Sequence, residues 1–456
     1  MKNATRKGLV AVAGVAALAL TVTACSGSNG GSGSASAGGQ VTIKISTFNN
    51  PGFGKSTAQK PGADLWTEYE KLHPNVKIVE DNAASSDDAR NAFNTAMSSG
   101  TGAYDIQMAD IDWMPSITAI ADKFTDLAPY AKTANGDWLD WKTAQGTVDG
   151  KQIGLGTDIG PEGICFRSDL LSAAGLPSTR DAVATALGGK DATWQKYFDL
   201  GKQYVQASGG KAWFDSAAAT YQGMVNQVQY SYVNKDGSTI DPSTNTTIKN
   251  LYTQVTTAAK DDKESAGLGQ WTDAWGAAMK SDKFATMLCP AWIINNIKGN
   301  AGETFKGWDI ADVFPGNPDV KNDQGQPATG GNWGGSFLVV PKQSKVADEA
   351  AKLAAWITAP AQQQKVFLAA SNFPSSPTAQ ADPQVKGKTD PFLNNAPVGT
   401  IFASRAAAVN VVPFKGAKYF DIQTAMANAL NRVDVDKSQS AADSWNQWVQ
   451  DVKALG

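Results

Sequence analysis

The sequence predicts an α/β protein of two lobes between which the chain passes more than once. Three observations carry this. The 456 residues are about three times the ~150 that make one typical domain. The body opens on alternating strand and helix patterns, and its later strand patterns are isolated and widely spaced.

Residues 1–24 read as a leader. Lys2, Arg6 and Lys7 form a basic head, and an apolar stretch from Gly8 to Val22 is short and rich in Ala, unlike the ~20 strongly apolar residues of a spanning helix. Residues 25–40 follow as Cys25 and a Gly/Ser-rich tract, whose composition buries too little surface to fold and predicts a flexible tether.

Folding is expected from residue 41. Val41–Phe48 alternates with period two and is rich in β-branched residues, so it predicts a strand, broken at Asn50-Pro51-Gly52. A helix is expected over 63–72, ending at His73-Pro74, then a strand at 76–79, which completes a βαβ unit. A helix over 86–99 leads to a short strand at 104–108. Beyond it the pattern is mostly helical, at 193–207, 215–230, 246–260, 345–370, 421–432 and 439–454, with strands at 163–166, 284–288, 310–314 and 336–340. Gly and Pro punctuate the chain near 155–162, 305–312 and 371–377, the expected crossings between lobes. The first lobe is then 41–157 with 311–370, and the second 158–310 with 371–456.

Composition excludes several functions. The leader leaves 37 of the 40 basic side chains against 43 acids, so the body has no positive excess to attract nucleic acid. His73 is the only histidine, which removes most acid–base, metal and nucleophile arrangements. Gly54-Lys55-Ser56 lacks the upstream glycine of a phosphate loop, and Gly154-Leu-Gly156-Thr-Asp-Ile-Gly160 has one residue too many for a dinucleotide fingerprint. No cofactor and no metal are expected. Cys165 and Cys289 lie in apolar strand patterns, and outside the cytoplasm they are either a disulfide or two buried thiols.

Tryptophan is the positive signal, with 14 residues against only 18% charged. A flat, wide, apolar ring covers the C–H face of a pyranose while polar neighbours hold its hydroxyls. Trp66, Trp194, Trp356, Trp445 and Trp448 fall in amphipathic helices and are expected in the core. Trp113 follows a strand end beside Asp112, and Trp292 follows another. Trp333 stands among Gly330, Gly331, Asn332, Gly334, Gly335 and Ser336, and Trp271 and Trp275 flank Asp273. These five are the candidate sugar platforms.

Val22-Thr-Ala-Cys25 resembles a bacterial lipobox, which implies cleavage before a lipid-modified, acylated Cys25. That segment, Ser46-Thr-Phe-Asn49, Asp110-Ile-Asp-Trp113, Gly156-Thr-Asp158-Ile-Gly-Pro161, Phe166-Arg-Ser-Asp-Leu-Leu171, Phe284 to Trp292, Gly331-Asn-Trp333-Gly-Gly-Ser336 and Val340 to Lys345 occur in order over nearly the whole chain. Together they resemble family 1 of the extracellular solute-binding proteins, the sugar-binding components of ABC importers, as found in Gram-positive actinobacteria. The resemblance implies a periplasmic-binding-protein-like fold of type II with a three-crossing hinge. It also implies a non-enzymatic, monomeric protein, held by lipid on the extracytoplasmic face of the cell membrane. Such a protein takes a plant-derived di- to tetrasaccharide between closing lobes and hands it to permease subunits. Carried onto this chain, the sugar contacts are Asn49, Asp112, Trp113, Asp158, Trp292 and Trp333, with Trp271, Trp275, Asn332, Asn372 and Arg405 as further contacts. A lipid-anchored glycosidase, which needs two carboxylates ~5–10 Å apart across the cleft, and a sugar-binding adhesin are the competing functions.

Overall fold

In the computed structural model, residues 39–57 and 60–456 are described. The leader, Cys25 and nearly all of the expected tether lie outside them. Nine strands build two sheets: β1 (Val41–Phe48), β2 (Val76–Ala83), β3 (Ile106–Asp110), β4 (Leu155–Gly156), β5 (Glu162–Arg167), β6 (Ala212–Phe214), β7 (Phe284–Pro290), β8 (Trp308–Ala311) and β9 (Ser336–Val339).

The first sheet has the order β2-β1-β3-β9-β4. β1 pairs in parallel with β2 and β3, as βαβ connections require, and β9 runs antiparallel to β3 and β4. Ile43, Ile45, Ile106, Leu155 and Phe337 are buried in one core with Leu353 and Ala354 of the Ala347–Ile357 helix. The pattern over 345–370 predicts one helix, but Pro360 starts a second, Pro360–Ala370, because it lacks the N–H that would continue the first.

The second sheet has the order β8-β5-β7-β6. Every residue of β5 and β7 is buried, so these strands show no alternation and read as short apolar runs. Cys165 on β5 and Cys289 on β7 form a disulfide with Cα atoms 5.3 Å apart, which resolves the two readings left open by the sequence. The β6 strand, three residues long, is absent from the sequence-based expectation because so short a segment carries no period.

Three stretches of chain run between the sheets. Asp158–Ile159 pairs antiparallel with Phe373–Pro374. The third stretch is Gly330 to Ser336, held to the first by Trp333 N–H donating to the Gly160 carbonyl at 2.8 Å and Ser336 N–H donating to Asp158 Oδ1 at 2.9 Å. This corrects the crossing expected at 305–312. β8 lies antiparallel to β5 within the second sheet, and the chain stays with that lobe beyond it: Gly316 bridges Thr193, and Gln227 Nε2 donates to the Gly330 carbonyl. The crossing instead falls where Gly334 and Gly335, at φ 78° and 96°, accept a left-handed backbone that other residues resist. Among the described residues, no helix is long and apolar enough to cross a membrane.

Candidate functional site

At the end of the first sheet where β1, β2 and β3 terminate, the chain leaves each strand in a short polar turn. Asn49 and Asn50 follow β1, Ser85 to Asp87 follow β2, and Asp110 ends β3. These groups face the second lobe across a cavity of about 540 Å³. Strand ends collect ligands in open α/β sheets because neighbouring loops diverge there and leave a crevice.

The opposite wall is aromatic. Trp292 and Trp333 meet edge to face with centroids 5.7 Å apart, and Trp271 lies nearly parallel to Trp292 at 6.0 Å. The indole N–H of Trp292 donates to the Trp333 carbonyl at 2.8 Å, which locks one ring against the backbone carrying the next. A Cβ on Gly160 would lie 1.8 Å from that same carbonyl, so only glycine allows the approach. Trp271 has φ 70° and is 51% exposed, an uncommon combination for so bulky a residue. The Ile293–Ala301 helix begins directly after Trp292 and adds Asn295 and Asn296 to the wall.

The cavity floor carries two acids, Asp110 and Asp158, with Lys142 buried behind them. Asp158 accepts from the Thr157 hydroxyl at 2.6 Å and from Ser336 N–H, so it ties the hinge strands together. Lys142 is buried, its Nζ 3.8 Å from the Phe337 ring centre. Loss of solvation lowers its pKa to about 8, against the attraction of Asp158 and Asp110. Desolvation and the neighbouring Asp112 raise Asp110 to about 7, and burial raises Asp158. Asp158 thus holds the hinge strands in place with the buried ammonium of Lys142 as a nearby countercharge.

Asn49, Asp158, Trp271, Trp292 and Trp333 line this cavity, as does Asn372, whose amide donates to the carbonyls of Asn50 and Pro51. Five other expected contacts do not. Trp113 is 1% exposed in the first core, its ring centre 5.5 Å from Phe48. The turn after β3 explains this: Asp112 N–H donates to the Asp110 carboxylate and Trp113 N–H to the Asp110 carbonyl, and the following helical turn rolls the ring back under the sheet. Asp112 is instead ion-paired with Lys415 of the second lobe. Trp275 is 2% exposed because it sits on the Asp273–Ala278 helix, with its indole N–H on buried Asp215 at 2.9 Å. Asn332 spends its amide on the hinge, accepting from Gly160 N–H and donating to the Gly334 carbonyl. Arg405 pairs with Asp312 at 2.6 Å.

The sequence reading missed Asn50, Ser85, Asp87, Asp110, Asn295 and Asn296. Asp110 carries a readable signal, since it is the last residue of its strand, two positions before Asp112. Asn295 and Asn296 lie three and four residues after Trp292, on the helix that begins there. No group of acids, histidines or cysteines among the described residues could hold a metal ion.

Residues 64–393 match a family described as bacterial extracellular solute-binding protein. A solved structure described as an extracellular solute-binding protein of family 1 is 42% identical, covers 91% of this chain and 99% of its own, and superposes with a TM-score of 0.76. The fold is also shared, at 16% identity, 91% and 96% coverage and a TM-score of 0.73, with an ABC transporter-associated binding protein from B. animalis subsp. lactis bound to β-1,6-galactobiose. The galacto-N-biose-/lacto-N-biose I-binding protein of Bifidobacterium longum shows 18% identity, 92% and 98% coverage and a TM-score of 0.69. No curated protein sequence matches the chain.

Proposed function

Because the chain belongs to the bacterial extracellular solute-binding proteins, we propose that its solute is a neutral oligosaccharide of two to four residues, of plant origin, captured between the lobes for a membrane permease. The observation that carries this reading is the wall of Trp271, Trp292 and Trp333 facing a rim of amides across one cavity. Stacking rings opposite hydrogen-bonding side chains match the two kinds of surface a pyranose presents. The cavity, at about 540 Å³, falls within the ~300–1,000 Å³ usual for small-ligand sites.

The mechanism follows from where the walls belong. Asn49 and Asp110 sit on the first lobe, and Trp271 and Trp292 on the second. Only a closed arrangement contacts the sugar from both sides, so binding energy favours closure. Trp333 and Asp158 lie on the hinge strands themselves, and ligand contact there acts on the segments that bend. Asp110 and Asp158 share Lys142 as their neighbouring cation, and the solute-binding proteins leave their solute chemically unchanged. Lipid on Cys25 would keep the protein, as a monomer, at the outer face of the cell membrane, and the Gly/Ser tract would let it reach a permease.

Titration of tryptophan fluorescence against a panel of oligosaccharides tests the proposal, with the sugar recovered afterwards. A saturable change with one sugar class and intact sugar is expected. No change across neutral di- to tetrasaccharides would refute the sugar assignment.

A further inference from the structure

A second cavity, of about 520 Å³, lies beside the first and is not accounted for by any contact described so far. Its walls come from both lobes. On one side is the Ser86–Ser99 helix, through Asp87, Arg90 and Asn91; on the other is the Tyr419–Asp434 helix, through Phe420, Thr424 and Asn428. Asp87 lines both cavities. Residues 87, 90 and 91 share one helical face, because positions three and four apart stand above one another. The lining of the second cavity, a groove along that face, thus starts from Asp87, the residue it shares with the first.

We infer that this groove holds the outer residues of an oligosaccharide whose inner residues occupy the first cavity, an inference that rests on the proposed sugar function. The chemistry of the walls favours a neutral polyol. Asn91, Asn428 and Thr424 offer amide and hydroxyl groups to solvent. Arg90 is the one cation of the lining, and it is already engaged, over the Phe420 ring at 3.8 Å and 3.6 Å from Asp421. With Asp87, Asp421 and Asp451 also in the lining, an acidic sugar would meet net repulsion. The walls belong to different lobes, so the groove takes its full form only when the lobes approach, and a longer sugar gains contacts in the same step that closes the first cavity.

Calorimetry with two homologous series tests this, maltose to maltohexaose and β-1,6-galactobiose to its hexamer, on the full chain and two variants. Asn91→Ala with Asn428→Ala removes hydrogen-bonding groups, and Thr424→Trp fills the groove; all three positions are exposed, and thermal melts control for folding. In the unaltered protein, chains longer than three residues should bind about tenfold more tightly than the disaccharide, the scale of one or two added hydrogen bonds. Both variants should abolish that gain and change disaccharide affinity by less than about twofold. Equal affinity at all lengths, or a gain that survives both variants, overturns the inference and leaves the proposed function standing. Binding of neither series overturns the inference as stated for these sugars, and the proposed function then stands or falls on the wider panel of neutral di- to tetrasaccharides.

Discussion

Trp271 offers the sharpest test of the aromatic wall, because its exposure and its backbone make opposite demands. The residue is 51% exposed, with the Trp292 ring at 6.0 Å and the Trp275 ring at 5.2 Å from its own. An aromatic side chain of this kind buries ~150–250 Å² when fully covered, so about half, ~75–125 Å², remains for a ligand to cover. At ~25 cal/mol per Å² this is about 2–3 kcal/mol, or roughly 30- to 150-fold in Kd. Trp271→Ala should weaken sugar binding by that factor in calorimetry. Because the ring contributes little to the core, its melting temperature should hold within a few degrees. Trp271→Gly should lose the same affinity while keeping or raising the melting temperature, since glycine adopts φ 70° without strain. Unchanged affinity in both variants would show that the ring faces solvent for no reason connected with the ligand. A fall of ten degrees or more would show that it belongs to the core, and either result refutes the reasoning.

Three further outcomes are expected. Trp113→Ala should destabilise the fold by about 3–5 kcal/mol in urea unfolding, as for other buried aromatic truncations, and the folded fraction should retain normal sugar affinity; a specific affinity loss in fully folded protein would return Trp113 to the site. Reduction of Cys165–Cys289, which span 124 residues, should cost up to about 5 kcal/mol from the freed unfolded chain, and an unfolding midpoint indifferent to reductant would contradict this. Asp110 keeps its proton to about pH 7 in the folded protein but releases it near ~3.9 when unfolded. Its contribution is thus fully present below about pH 4 and lost as pH rises towards 7. Melting temperatures of the unaltered protein should fall relative to Asp110→Asn across that window, and parallel pH profiles would remove the premise.

The first lobe was legible because its opening repeats one local rule. Val41–Phe48 alternates, the helices carry apolar faces, and His73-Pro74 ends one of them, so each boundary has a residue that makes it. The second lobe was less so. β5 and β7, buried on both faces, were legible only as short apolar runs without alternation, and β6, at three residues, leaves no period to detect. The misplaced crossing has the same origin. A Gly/Pro break marks where a chain can turn, and β8 shows that such a break is equally suited to ending a strand inside its own sheet.

The site divides along a different line, between rings that share a sequence context but not a local geometry. Trp113 and Trp333 both occur at the end of a strand-like or glycine-rich segment beside a polar residue. After Asp110 the chain enters a hydrogen-bonded turn with Pro115 early in the next helix, and that turn carries the ring of Trp113 into the core. Around Trp333 no helix follows: Asn332 accepts from the Gly160 amide and donates to the Gly334 carbonyl, so the backbone is pinned on both sides while the ring stays at the cavity. The deciding quantity is the direction in which the backbone leaves the strand, set by hydrogen bonds to residues 160, 334 and 336 that only the assembled hinge supplies. Asn49 and Asn372 show the same dependence over a longer range: they reach one cavity although 322 residues separate Asn50 from the amide that Asn372 gives it. Residue type announced a ligand surface in this chain, and the hinge chose which residues form it, so substitutions in the hinge strands should move affinity and closure together.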